Sequence, residues 1–189
     1  MNVRERCLKT TEMLAEILGC IDDQQIAEFI EVLVKAKKED RKIFTVGAGR
    51  ANLIARTFAM RLMQIGYKSY VVYDTGTPAF EAGDVLIGIS GSGSTKTVLE
   101  ICNQALKLNG HLLAVSMKPQ SELAGKAEKV IIISTSERKE KIHSNGSEFE
   151  QSLFVLLDCI GVRLMEELGY LNDIHDIDPF IRKLHANLQ

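Results

Sequence analysis

Apolar residues fall along this chain in two successive patterns. Residues 3–18 repeat with helical spacing, with Val3, Cys7, Leu14, Ala15, Ile17 and Leu18 on one side, and Gly19 ends the run. Asp22 or Asp23 can cap a second helix that reaches about Lys38, with Ile26, Phe29, Ile30, Leu33 and Val34 facing inward. Lys35, Lys37 and Lys38 suit its C-terminal turn and read as solvated charge. From residue 42 the pattern changes. Runs at 42–46, 69–72, 85–89, 111–115 and 130–134 predict five strands, and stretches at 50–65, 94–108 and 121–126 predict helices between them. Strands apolar throughout, separated by helices, imply a parallel sheet covered on both faces.

The polar segment 135–146, with Glu137, Arg138, Lys139, Glu140 and Lys141, predicts a loop. A long helix is expected over about 147–168, where Phe149, Leu153, Phe154, Leu156, Leu157, Ile160, Val162, Leu164 and Met165 cover most of the circumference. A helix apolar nearly all round must be buried. Together with the N-terminal arm it predicts packing against another subunit. Asp178-Pro179 opens a last short helix, which ends in His185-Ala-Asn-Leu-Gln189. The whole, 1–189, reads as one α/β domain: a helical arm over about 1–38, a core over about 42–134, and a long helix with its tail over about 147–189.

Composition narrows the class. The net charge of −2 gives no basic stripe for nucleic acid. No apolar run approaches the ~20 residues of a membrane span. The start, Met1-Asn-Val-Arg-Glu-Arg6, lacks the apolar core of a signal peptide, so a cytoplasmic protein is expected. Cys7, Cys20, Cys102 and Cys159 are scattered without a CxxC pair. They read as reduced, buried thiols, and no spacing supports a zinc site.

Two glycine-rich turns carry the candidate chemistry. Ser90-Gly-Ser-Gly-Ser-Thr95 follows an apolar strand and opens a helix. The first N–H groups of a helix have no internal partner, and the helix dipole adds positive charge there. Hydroxyls and glycines at such a terminus make an anion site, and phosphate is the usual occupant. Three hydroxyls (Ser90, Ser92, Thr95) and two glycines in six residues exceed what a helix cap needs. The second turn is Val46-Gly-Ala-Gly-Arg50. It is not a dinucleotide fingerprint, because Asn52 stands at the third glycine and no acid ends the next strand; Asp74 comes later. Nor is it a Walker loop, since no Gly-Lys-Ser/Thr follows. Both turns lie at the carboxyl ends of strands, where ligands of such sheets sit. Paired, they can line one pocket, with Arg50 approaching an anionic or hydroxyl-rich ligand.

These residues carry a family resemblance. Ser90-Gly-Ser-Gly-Ser-Thr95 resembles the phosphate loop of sugar isomerase (SIS) domains. Within that superfamily the chain is similar to the 3-hexulose-6-phosphate isomerases. The matching segments are Val46-Gly-Ala-Gly-Arg50, Phe58-Ala-Met-Arg-Leu-Met63, Thr77-Pro78, Gly83-Asp84, Thr95-Lys-Thr-Val-Leu99, Phe149-Glu150 and His185-Ala-Asn-Leu188. The chain departs from the family pattern at Ala51 and Ser94, which border the expected pocket, and at Ser144-Asn-Gly146 before the long helix. The resemblance implies a flavodoxin-like α/β/α sandwich with a five-stranded parallel sheet. It also implies a homotetramer built through the terminal helices, and no metal or organic cofactor. The implied reaction interconverts arabino-3-hexulose 6-phosphate and fructose 6-phosphate in formaldehyde-fixing ribulose monophosphate metabolism. Gly91, Gly93 and Ser94, with Ser90, Ser92 and Thr95, are then expected to hold the phosphate, and Gly47, Gly49 and Arg50 to line the sugar.

Moving a carbonyl from C3 to C2 through a cis-enediol needs one base near both carbons and a group that polarises oxygen. Glu150 matches the family's Phe-Glu and is the candidate base. Glu148 lies two residues earlier, about 200° round a helix, so only one of the two can face the pocket. First-turn glutamates are also ordinary partners of the helix dipole. His185 is the second candidate, acting at sugar oxygens. The resemblance implies that it reaches an active site across a subunit boundary. His111, His143 and His175 are expected to have no chemical role. Two other classes stay open: a phosphosugar-binding or regulatory protein that keeps the loop, and a ketose–aldose phosphosugar isomerase.

Overall fold

In the computed structural model, residues 1–135, 142–171 and 173–186 are described. Two helices lead, α1 (Val3–Gly19) and α2 (Asp23–Lys38). Asn2 closes a capping box on α1, and the Asp22 carboxylate accepts the Gln24 N–H at the start of α2. The alternating part follows as β1 (Lys42–Val46), α3 (Arg50–Gln64), β2 (Lys68–Val71) and β3 (Val85–Ile89). It continues as α4 (Lys96–Lys107), β4 (His111–Ser116), α5 (Glu122–Lys126) and β5 (Lys129–Ile132). The long α6 (Asn145–Glu167) and a short α7 (Ile177–Arg182) complete the described chain.

The five strands are all parallel in the order β2-β1-β3-β4-β5. Period-two alternation divides their side chains between two cores. Ile43, Val85, Ile87, Ile89, Leu113 and Val115 face a layer made by α1, α2, α3 and α6, where Met13, Phe29, Leu33, Phe58, Phe149 and Leu153 meet them. Phe44, Val46, Leu86, Leu112 and Ala114 face Val98, Leu99, Cys102 and Leu123 of α4 and α5. The result is the expected α/β/α sandwich. Among the described residues no helix is long and apolar enough to cross a membrane.

Several expectations need correction. The fourth helix begins at Lys96 with Thr95 at its N-cap, so Ser94 belongs to the loop. The second and fifth strands begin one residue earlier than their apolar runs, and the fifth ends at Ile132. The long helix begins at Asn145 because the Ser144 hydroxyl caps it by accepting the Ser147 N–H at 3.4 Å. Of the expected loop, residues 136–141 lie outside the described residues, as do Asn187, Leu188 and Gln189 of the tail. Ile142 and His143 are tied to α1, where Arg6 donates to the Ile142 carbonyl at 2.8 Å and Thr10 Oγ1 lies 2.9 Å from His143. The buried-thiol expectation holds for Cys102 alone; Cys7, Cys20 and Cys159 are exposed. Only Met13 and Ile17 of α1 reach full burial, which leaves Val3 and Cys7 on its outer end in solvent. Burial pushes the Cys102 thiol up to about 12.

Cys102 also shows how tightly α4 sits on the sheet. A Cβ on Gly88, in the middle of β3, would stand 2.8 Å from Cys102 Sγ and 3.2 Å from Leu123 Cδ1. Gly88→Ala should therefore destabilise the fold by about 1–3 kcal/mol through overpacking. Combining it with Cys102→Ala should cost less than the sum of the two single changes, because the methyl fills the space the sulfur leaves. Urea unfolding of the three variants gives the comparison; strict additivity would mean that the sulfur is not what Gly88 accommodates.

Candidate functional site

Chain connections run from β1 outward to β2 on one side and from β3 to β4 and β5 on the other. The direction reverses between β1 and β3, and such a reversal opens a crevice at the strands' carboxyl ends. Val46 of β1 pairs with Gly88 of β3. That register sets the Gly47–Arg50 turn beside residues 90–95, so the two glycine-rich turns are neighbours. Gly49 enters α3 at φ 57° and ψ −132°, a backbone that side-chain-bearing residues avoid.

In the second turn the hydroxyls are already gathered. Ser90 Oγ lies 2.9 Å from Thr95 Oγ1 and 3.5 Å from Ser92 Oγ, and accepts the Gly93 N–H at 3.1 Å. Ser92 Oγ accepts from the Ser94 N–H at 3.3 Å and lies 3.2 Å from Ser94 Oγ. Thr95 makes no side-chain cap on α4, which leaves the first amides of that helix open to a ligand. The assembly is neutral and rich in donors, the chemistry that an anion cradle requires.

A third wall comes from α6. Phe149 packs on the loop, with its Cδ1 3.2 Å from where a Gly91 Cβ would stand. One residue on, the Glu150 carboxylate meets Arg50 of the first turn, Oε2 to Nε 2.9 Å. That contact is a charge contact rather than a directed hydrogen bond, since the buried Oε2 has no hydrogen-bond donor among the described residues. Glu150 keeps 17% of its side chain exposed and Arg50 62%. A pair this open contributes little stability, so its consequence is where it holds the carboxylate. Arg50 Nη2 also lies 3.4 Å from Ser147 Oγ. Beside the pair is an open hollow of about 430 Å³, walled by Leu14, Leu53, Ile54, Phe154 and Val155.

Glu148 goes elsewhere. It is fully buried, and neither carboxylate oxygen has a hydrogen-bond partner among the described residues. The helical angle separates the two acids as expected, with Glu150 the one that meets the first turn. His185 is not brought to the cradle by its own chain. Its Nδ1 lies 2.8 Å from Gln64 Nε2, and Gln64 ends the helix that Arg50 begins. At 1.5 Å per residue the two ends of α3 are about 20 Å apart. His185 there lines a second hollow of about 480 Å³ with Phe58, Arg61, Gln64, Phe154 and Leu157. Asp74 is held by Arg56 through contacts of 2.6 and 3.1 Å. Of the other histidines, His111 pairs with Glu128 at 2.7 Å. Sequence reasoning missed Ser147 as a neighbour of Arg50. It also missed Ser116 and Ser121, which lie behind the loop and carry no motif.

Residues 37–156 match the family model described as SIS domain. The chain is 34% identical over 171 residues to 3-hexulose-6-phosphate isomerase of Bacillus subtilis, covering 86% of this chain and 92% of that one. It is 37% identical over 166 residues to the Methanocaldococcus jannaschii protein of the same name, covering 87% and 84%. A crystal structure from Methanococcus jannaschii, one that infers a molecular function of 3-hexulose-6-phosphate isomerase, superposes with a TM-score of 0.78 at 32% identity over 96% of each chain.

The tightest spot in the cradle is Gly93, at φ 63°, where a Cβ would stand 2.2 Å from both Cβ and Oγ of Ser121. Gly93→Ala is expected to destabilise the protein by at least about 2 kcal/mol. It should also remove the thermal stabilisation that inorganic phosphate gives the parent, as read by calorimetry. An unchanged phosphate response would show that the loop is not the anion site.

Proposed function

The chain belongs to the SIS domain family, and on that premise we propose that it interconverts arabino-3-hexulose 6-phosphate and fructose 6-phosphate. The observation that carries the reading is the Glu150 carboxylate, held beside Arg50 of the first glycine-rich turn by the helix whose Phe149 packs on the second. Relatives named for this reaction, alike over most of both chains, supply the substrate.

The 6-phosphate binds at residues 90–95, through the hydroxyls of Ser90, Ser92 and Thr95 and the amides around Gly91, Gly93 and Ser94. Holding it there orients the reacting carbons and lowers the barrier through binding made away from the chemistry. Gly47, Gly49 and Arg50 line the sugar. Glu150 removes the proton from C2 of the 3-hexulose, a cis-enediol forms, and the same carboxyl returns the proton to C3. The result is fructose 6-phosphate, with no net change in protons or electrons. His185 acts at the sugar oxygens from a second subunit. The distance between Gln64 and Arg50 favours that arrangement over one within a single chain, and the apolar hollow beside Glu150 is the wall the second subunit covers. A cytoplasmic homotetramer in ribulose monophosphate metabolism completes the reading.

Incubation with fructose 6-phosphate in deuterated water, followed by NMR, tests the reaction. Exchange at C3 is expected. Exchange at C1 would point to a ketose–aldose isomerase, and a thermal shift without exchange to a phosphosugar sensor. Glu150→Gln should lower turnover by about 10²–10⁴-fold, the usual weight of a positioned base, with fructose 6-phosphate binding changed only a few-fold. Near-parental turnover would remove Glu150 from the role. Mixing inactive Glu150→Gln chains with His185→Ala chains tests the shared site. Re-equilibrated tetramers should regain activity, because some sites then combine an intact Glu150 with an intact His185. Mixtures no more active than their components would overturn the cross-subunit assignment.

A further inference from the structure

We infer that the turn between β4 and α5 is the device that aims the phosphate loop, and that Ser116 is its positioning residue. The inference rests on the phosphosugar reading above but concerns residues outside the family motif. Ser116 ends β4, is fully buried, and lies outside the 90–95 loop that is expected to meet the ligand. Its hydroxyl donates to the Gly91 carbonyl at 3.4 Å, accepts the Lys118 N–H at 3.3 Å and lies 3.3 Å from Ser121 Oγ. The Met117 N–H donates to that same Gly91 carbonyl at 3.0 Å, and the Leu123 N–H donates to the Gly93 carbonyl at 3.0 Å. Three donors, from the end of β4, the residue after it and the start of α5, thus hold two carbonyls of the neighbouring loop.

The consequence follows from the planar trans peptide. The carbonyl of one residue and the N–H of the next point in opposite directions. Drawing the Gly91 and Gly93 carbonyls onto the β4–α5 turn therefore directs the Ser92 and Ser94 amides away from it, towards the open side of the loop. The Ser94 N–H meets only Ser92 Oγ, at 3.3 Å, and the Ser92 N–H has no acceptor among the described residues. Ser121 closes the other side, filling the space where any side chain at position 93 would go. A loop rich in glycine and serine has many conformations of similar energy. Fixing its peptide planes beforehand removes an ordering cost from ligand binding.

The test compares two buried serines. Ser152 of α6 is equally buried, and its hydroxyl donates to the Glu148 carbonyl within its own helix, away from the loop. Calorimetric titration with inorganic phosphate and with fructose 6-phosphate is run on the parent, Ser116→Ala, Ser152→Ala and Ser116→Thr. Ser116→Ala should weaken both ligands and raise KM about tenfold, the effect of 1.4 kcal/mol lost from binding, while kcat stays within about twofold. Ser152→Ala should lower thermal stability comparably without moving either Kd, and Ser116→Thr should recover most of the affinity. Parental phosphate affinity in Ser116→Ala would overturn the inference, as would equal weakening by Ser152→Ala. A parent that binds phosphate but not fructose 6-phosphate, with Ser116→Ala still impaired, would sink the substrate reading and leave the positioning role standing.

Discussion

The parallel pairing of β1 with β3 is the constraint on which the site depends. It places two strand-to-helix turns side by side at the point where the connections change direction. Neither turn alone would make more than a helix cap. Together they present open amides and hydroxyls on one side and a guanidinium on the other. The sheet can hold them in register because its strands are apolar on both faces and clamped between two cores. A slip of one residue between β1 and β3 would exchange the two cores and carry Arg50 away from the loop.

A rigid frame is what a neutral anion cradle would require. Its five hydroxyl and glycine positions between Ser90 and Ser94 carry no cation, so attraction must come from directed N–H and O–H groups. Such groups work only if their directions are set before the anion arrives. The hydroxyl cluster of Ser90, Ser92 and Thr95 and the carbonyl contacts from the β4–α5 turn both serve that end. Much of the local design consequently lies behind the loop, in residues that would not touch a ligand.

The fold was largely legible from periodicity. Strands buried on both faces are unmistakable in Phe44-Thr-Val46 or Leu86-Ile-Gly-Ile89, and alternation with helices follows. Element ends were less so: α4 begins at Lys96 rather than at 94, and α6 at Asn145 rather than at 147, where the Ser144 hydroxyl caps it. The loop and Arg50 were readable because their chemistry sits in contiguous residues. Ser116 and Ser121 were not, since a serine that accepts or donates across a turn looks like any buried serine in sequence. The exposure of Cys7 and Cys159 was hidden for a different reason. A helical repeat tells which residues share a face, not how far along the helix that face stays covered.

The two acids of α6 show what helix geometry alone decides. Glu148 and Glu150 have the same chemistry and nearly the same height along the axis. An angle of about 200° sends one beside Arg50 and the other into the interior. Glu150 keeps some solvent and a neighbouring guanidinium, so its charge costs little where it stands. Glu148 has lost solvent from both oxygens and gained no donor among the described residues. Burying a polar group that way is unfavourable, and the backbone bond from Ser152 does not reach the carboxyl. Stability therefore does not account for an acid at position 148, and an apolar residue of the same size would serve the core better. Folding accounts for Glu150 no better. An ion pair with so open an arginine adds little to folding, so the value of that side chain lies in where it sets a carboxylate beside Arg50 of the first turn.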